Sequence, residues 1–191
     1  MTTPNLKYFL VFCYGICVMA CSTPRQEQEI TAIYNTLKSL QNKKIDFPAN
    51  LISSTNGIKC YFPYVTSNSD YKVVVYTDSL GCTPCKFKTG EWSYYVRQLQ
   101  ILSGNIYFVF IFQKESKILE EDFRMQGIEY PVIYDTNNAF IQENKLPASS
   151  QFHTFLLDKD NKIILIGSPV GNKKIWELYK EKIRKHLNNC N

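Results

Sequence analysis

Two cysteines separated by two residues, Cys82-Thr83-Pro84-Cys85, are the residues of this chain best suited to chemistry. They follow a run of β-formers at residues 71–76 and precede a segment in which apolar residues recur at helical spacing. A Cys-x-x-Cys pair placed where a buried strand passes into a helix is typical of a thiol–disulfide centre. The spacing therefore predicts redox chemistry at this junction.

The two cysteines are expected to have different roles. A thiol attacks a disulfide only as its thiolate, and the backbone N–H groups of a helix N-terminus favour that thiolate. Cys82 would lie exposed at the terminus as the nucleophile, and Cys85, one turn further, would resolve the mixed disulfide. Pro84 fits a first helical turn because it needs no N–H partner there. Lys86 and Lys88 add positive charge that favours the thiolate.

Two structural roles for the pair compete with the redox interpretation. The cysteines could staple a turn, or they could form half of a structural zinc site, which needs a second pair of ligands. The remaining candidates, Cys60, Cys190, His153 and His186, are isolated in the sequence. A Cys60–Cys190 disulfide is a further alternative, because an exported domain can keep disulfides.

The N-terminal residues predict export. Residues 1–20 have one early positive charge, at Lys7, and an uncharged apolar stretch too short to span a bilayer. They end in Val18-Met19-Ala20-Cys21, which resembles the bacterial lipobox, so Cys21 is the predicted lipidation site. The alternative is an ordinary signal peptide that is cleaved elsewhere. Residues 21–45 are expected to form a lipidated tether and an amphipathic helix, and residues 46–191 one domain.

The composition is that of a globular protein. Apolar residues make up 45% of the 191 residues and charged residues 20%, and the net charge is only +5. The basic residues are scattered, so we expect no nucleic-acid partner. The chain is expected to be a monomer.

Periodicity predicts an α/β protein with a central mixed β-sheet, flanking helices and an N-terminal helix and β-hairpin extension. The expected helices are 83–102, 114–126 and a C-terminal helix capped by Asn172. The expected strands are 44–48 and 58–62 in the N-terminal hairpin, then 71–76, 106–112, 132–134, 152–157 and 163–166.

Three motifs, in order, resemble the thioredoxin-like lipoproteins related to the TlpA/ResA group. They are Cys82-Thr83-Pro84-Cys85-Lys86, Tyr130-Pro131-Val132-Ile133-Tyr134-Asp135, and Thr154-Phe155-Leu156-Leu157-Asp158-Lys159-Asp160-Asn161-Lys162-Ile163. The resemblance implies a thioredoxin-like fold in which Thr83, Pro84 and Lys86 support the motif. It also implies extracytoplasmic exchange through a redox-active Cys82–Cys85 disulfide, with no other cofactor. The implied partners are exported proteins and a dithiol electron donor, and the implied location is the outer membrane, facing the periplasm.

The sequence departs from this family at the residues that would hold substrate. Such proteins carry a cis-proline before the hairpin strand, and here that position is Phe152, followed by His153 and Thr154. We call these three residues the ledge. Without the proline, Cys82, Cys85 and His153 could instead bind Cu(I) or Zn(II), as in copper chaperones of this fold. A third alternative is a binding protein with no catalytic activity.

Overall fold

The computed structural model describes residues 24–55, 57–61, 69–78 and 84–189. The predicted signal segment, Cys21, Cys82, Thr83 and Cys190 lie outside these residues. The chain divides at Lys38 into two units, Met1–Lys38 and Ser39–Asn191. The predicted N-terminal helix is present as α1, Pro24–Leu40. Among the described residues, no helix is long and apolar enough to cross a membrane.

A seven-stranded sheet forms the centre of the second unit. Its strands are β1 (Ile52–Thr55), β2 (Ile58–Tyr61), β3 (Tyr71–Thr77), β4 (Ile106–Phe112), β5 (Val132–Tyr134), β6 (Thr154–Asp158) and β7 (Ile163–Ile166), in the order β2-β1-β5-β4-β3-β6-β7. Strand β4 is parallel to both of its neighbours, β3 and β5, and all other pairings are antiparallel. The predicted mixed sheet is confirmed.

Five helices and one short 3₁₀ turn accompany this sheet in the described residues. They are α2 (Pro84–Phe87), α3 (Thr89–Leu102), α4 (Lys117–Met125), α5 (Ala139–Glu143), the 3₁₀ turn Ser150–Phe152, and α6 (Lys173–Asn189). Asn172 accepts a hydrogen bond from the Ile175 N–H at 3.1 Å, which confirms the predicted cap of α6.

The two faces of the sheet bury separate apolar clusters. Alternate residues of β3 point to opposite faces, so Val73 packs with Leu99 of α3 and Phe123 of α4, while Val74 packs with Phe140 of α5. Almost every side chain of β3 and β4 is buried, as expected of central strands covered on both faces. The sheet therefore holds the C-terminal end of β3 rigidly.

The first strand of the N-terminal hairpin was predicted wrongly. Residues 44–48 form no strand, and the hairpin pairs Ile52–Thr55 with Ile58–Tyr61 instead. The alternation at 44–48 reflects the burial of Ile45 and Phe47 and not a strand. The segment makes one isolated β-bridge, between Lys44 and Lys162. Pro48 has no N–H to donate to a ladder, which works against an extended pairing there.

The predicted helix 83–102 is broken. Lys88 separates α2 from α3 and has a left-handed backbone, with φ 58°. The predicted helix 114–126 is present as the shorter α4, which turns only some of its apolar side chains inward. Leu119 and Phe123 of α4 are buried, but Ile118 and Met125 are 68% and 72% exposed.

Candidate active site

A groove opens at the C-terminal end of β3, where the Cys-x-x-Cys segment begins. Its volume is about 320 Å³. The lining residues come from the end of β3, from α2 and α3, from the turn before β6 and from the loop after β7: Val75, Tyr76, Thr77, Asp78, Lys86, Phe87, Lys88, Trp92, Ser150, Thr154, Ser168 and Val170. Side chains from distant parts of the chain thus meet next to α2, the helix that contains Cys85.

Cys85 is the second residue of α2, and one aromatic side chain anchors this short helix. Phe87 is buried, and its ring centroid lies 4.9 Å from that of Phe112 and 5.7 Å from that of Phe123. It also stacks on Trp92 at 6.1 Å. These contacts fix α2 over the end of β4, so the backbone of Cys85 lies beside the groove.

Lys88 turns the chain between α2 and α3. Its carbonyl accepts the N–H groups of Glu91 and Trp92, which starts α3. Its Nζ lies 3.1 Å from Glu91 Oε1. The same Nζ is close to the loop after β7, since it would lie 3.8 Å from a Cβ atom added to Gly171. The left-handed residue therefore places a lysine at the rim of the groove.

The three residues predicted to form the ledge lead from the 3₁₀ turn into β6. Phe152, His153 and Thr154 are all buried and lie at the entry to β6. Their main-chain groups are used internally. The N–H groups of Phe152 and His153 donate to Ser149 and Ser150, and the His153 carbonyl accepts the Tyr76 N–H at 2.9 Å. The described part of the chain contains no cis peptide bond.

The His153 ring faces inward. Nε2 lies 2.7 Å from the Pro147 carbonyl oxygen and must donate to it, since that oxygen can only accept. Nδ1 is buried without a hydrogen-bond partner in the described residues. The Tyr76 ring lies edge-on at 5.4 Å.

This geometry bears on the metal alternative. No group of three possible ligands occurs among the described residues. Cys82 lies outside them, so a site built from Cys82, Cys85 and His153 stays a prediction. The lone pair available to a metal is on Nδ1, which is buried, so the ion would have to reach that nitrogen inside the protein or the ring would have to turn outward.

Asp135 supports the ledge indirectly, through α5 and Tyr76. Its carboxylate accepts the N–H groups of Ala139 at 2.8 Å and Phe140 at 3.0 Å, which holds the start of α5. Burial raises the pKa of the Asp135 carboxyl, and those two hydrogen bonds oppose the change. Phe140 then stacks on Tyr76 at 5.8 Å, and Tyr76 contacts His153. The last residue of the Tyr130–Asp135 motif thus has a structural role.

Several groove residues were missed by the sequence analysis. Ser168 and Val170 belong to a loop without periodicity, and only the folded chain brings them beside Lys86. Ser150 belongs to a polar segment that carries no local motif. The positive charge of Lys88 was noted, but not its left-handed backbone.

Comparisons with known proteins identify the fold. No family model matches the sequence, and no curated protein matches it. A domain of a possible thiol-disulfide isomerase from Cytophaga hutchinsonii is similar with a TM-score of 0.53 and 18% identity, over 77% of this chain and 97% of that one. Peroxiredoxin Q from Xanthomonas campestris is similar with a TM-score of 0.51 and 13% identity, over 74% of this chain and 96% of that one. An uncharacterized thioredoxin-like protein from Porphyromonas gingivalis is similar with a TM-score of 0.50 and 17% identity, over 75% of this chain and 93% of that one.

These similarities, together with the mixed sheet and its flanking helices, establish a thioredoxin-like fold. The fold class expected from the sequence is confirmed. At these identities the likeness concerns the fold alone.

Proposed function

We propose that this protein is a thiol–disulfide oxidoreductase in which Cys82 attacks substrate disulfides and Cys85 resolves the product. The observation that carries the proposal is the position of Cys85 in α2, at the carboxyl end of β3 and beside an open groove. Ligands of open α/β sheets bind at such strand ends. The thioredoxin-like fold is consistent with this chemistry.

The reaction transfers two electrons. The Cys82 thiolate forms a bond to one sulfur of the substrate disulfide, and the other sulfur leaves as a thiolate that takes up a proton. The Cys85 thiolate then attacks Cys82 and releases the second substrate thiol. The substrate disulfide is reduced, and Cys82 and Cys85 are oxidised to a disulfide. An external dithiol returns them to the reduced state.

Local charge supports the thiolate. Lys86 and Lys88 line the groove and are exposed, and Lys86 forms no ion pair with any described residue. Positive groups close to a cysteine lower the pKa of its thiol. The short α2 adds only the free N–H groups of its first turn, since the helix-terminus effect is confined to that turn.

The location and partners are part of the same proposal. The pattern Val18-Met19-Ala20-Cys21 supports lipid attachment at Cys21 and an anchor in the outer membrane, facing the periplasm. The substrates would be exported proteins with thiols or disulfides, and the protein would act as a monomer. In its cell of origin, Cys21→Ala should move the protein from the membrane fraction to the soluble fraction. Continued membrane association of that variant would contradict lipidation.

Turnover of a model disulfide tests the activity. The reduced protein should reduce a peptide disulfide in the presence of a small dithiol, and Cys82→Ser should abolish this reaction. The matched control is Cys60→Ser/Cys190→Ser, which should retain it. Equal turnover by Cys82→Ser and the wild type would overturn the proposal and favour a binding protein. Stoichiometric Cu(I) or Zn(II) binding that is lost in His153→Ala would favour the metal alternative.

A further inference from the structure

The ledge has little main chain to offer a substrate. The N–H groups of Phe152 and His153 are donated within the 3₁₀ turn, and the carbonyls of His153 and Thr154 accept from Tyr76 and Gly167. An extended peptide that pairs along a strand needs free N–H and C=O groups. Recognition by the described residues of this site would therefore depend chiefly on the side chains that line the groove.

Those side chains offer donors and positive charge. The charged lining residues of the groove are Lys86, Lys88 and Asp78. The two lysines outnumber the one carboxylate of this lining, and Lys86 pairs with no described carboxylate. The Ser150 and Ser168 hydroxyls add further donors to the lining. Ammonium and hydroxyl groups together suit a carboxylate.

The ion pair between Lys88 and Glu91 is weak enough for a substrate carboxylate to replace Glu91. Its 3.1 Å ion pair with Glu91 joins two side chains that are each about half exposed, at 51% and 46%. An ion pair at such a surface contributes little free energy. A substrate carboxylate in the groove can therefore replace Glu91 at low cost, and Lys88 reaches the loop at Gly171 from the same position.

We propose that the groove selects disulfides flanked by acidic residues, with Lys86 and Lys88 as the specificity-determining residues. This inference rests on the proposed function, because the selected group is the disulfide that Cys82 attacks. The lysines bind the carboxylates beside the reacting sulfur. Basic segments are repelled by the same two charges.

Three matched peptides test the selectivity. Each carries one cysteine in a mixed disulfide with thionitrobenzoate, and the flanking residues are Glu, Gln or Lys. Release of the chromophore by the reduced wild-type protein gives the rate. The Glu peptide should react roughly three- to tenfold faster than the Lys peptide at low ionic strength, since two exposed charge pairs are involved. The ratio should approach one in about 1 M salt, where charges are screened beyond about 3 Å.

Variants assign the effect to the groove. Lys86→Gln/Lys88→Gln should bring the Glu-to-Lys ratio close to one. A change in thiol pKa cancels in that ratio, because both peptides meet the same nucleophile. Lys159→Gln/Lys162→Gln is the control: it removes the same charge at the β6–β7 turn, where Asp158 pairs with the opposite end of β3. That variant should keep the wild-type ratio.

The outcomes separate the two proposals. Exchange with all three peptides at equal rates, or fastest with the Lys peptide, would overturn the acidic selectivity and leave the oxidoreductase proposal intact. A ratio that falls equally in both double variants would also overturn it, because overall charge would then be the cause. No exchange with any peptide would overturn the oxidoreductase proposal, and the selectivity with it.

Discussion

The His153 imidazole donates from Nε2 to the Pro147 carbonyl across 2.7 Å, which joins the start of β6 to the loop before the 3₁₀ turn. His153 is only 5% exposed. The Pro147 carbonyl is partly buried, and this hydrogen bond fixes the approach of the loop to the ledge. The residue beside the position of the usual cis-proline thus stabilises a turn made of trans peptides.

His153→Phe should lower the free energy of unfolding by about 0.5–1.5 kcal/mol, because it removes the donor of a partly buried hydrogen bond to the Pro147 carbonyl. His153→Gln, whose amide can donate from near the Nε2 position, should lose less. Urea unfolding of the two variants measures the difference. If His153→Phe were as stable as the wild type, the hydrogen bond would not hold the turn.

Lys88→Gly should be more stable than Lys88→Ala by about 1 kcal/mol. Both variants lack the ammonium group, but only glycine adopts a φ of 58° without a steric cost. Thermal unfolding of the two proteins gives the comparison. Equal midpoints would show that residue 88 is not held in the left-handed conformation in solution.

Lys72 lies in the central strand β3 and is only 3% exposed. Burial lowers the pKa of its ammonium group, although the charges of Asp158 and Asp160 raise it in part. Lys72→Met should therefore stabilise the fold at pH 7 by on the order of 1 kcal/mol, since a buried charge is replaced by an apolar group.

The pH dependence of this gain follows from the lowered pKa. Below the folded-state pKa the lysine is charged in both states, so its burial cost is present in full. The cost diminishes as the pH rises through the folded-state pKa toward the ordinary value of about 10.4. Unfolding free energies of the wild type and Lys72→Met should converge over that alkaline range. The exposed Lys159→Met is the control, and a gap of constant size would contradict the account.

The central strands of the fold were predictable because their runs of apolar residues indicate burial. β4 is a nearly continuous apolar run, and it lies at the centre of the sheet, between β3 and β5. The same logic failed at residues 44–48, because alternating burial at Ile45 and Phe47 does not require a strand partner. Periodicity predicts which side chains are buried. Which strands pair depends on contacts with segments that are distant in the sequence.

The site was predictable only in part. Phe152 and His153 were assigned to the ledge by counting back from Asp158, and the structure has them at the end of the 3₁₀ turn before β6. The bond from His153 to Pro147 could not be predicted, since the loop between them has no period or turn signature. The break at Lys88 was hidden because the apolar spacing from Trp92 onward continues a regular helix.

Trapping of the mixed disulfide tests the central claim most directly. Cys85→Ser lacks the resolving thiol, so a peptide disulfide added in slight excess should leave one peptide bound to the protein. Peptide mapping by mass spectrometry should find it on Cys82, and a dithiol should release it. Absence of an adduct, or an adduct on Cys60 or Cys190 while Cys82 stays free, would contradict the proposed nucleophile.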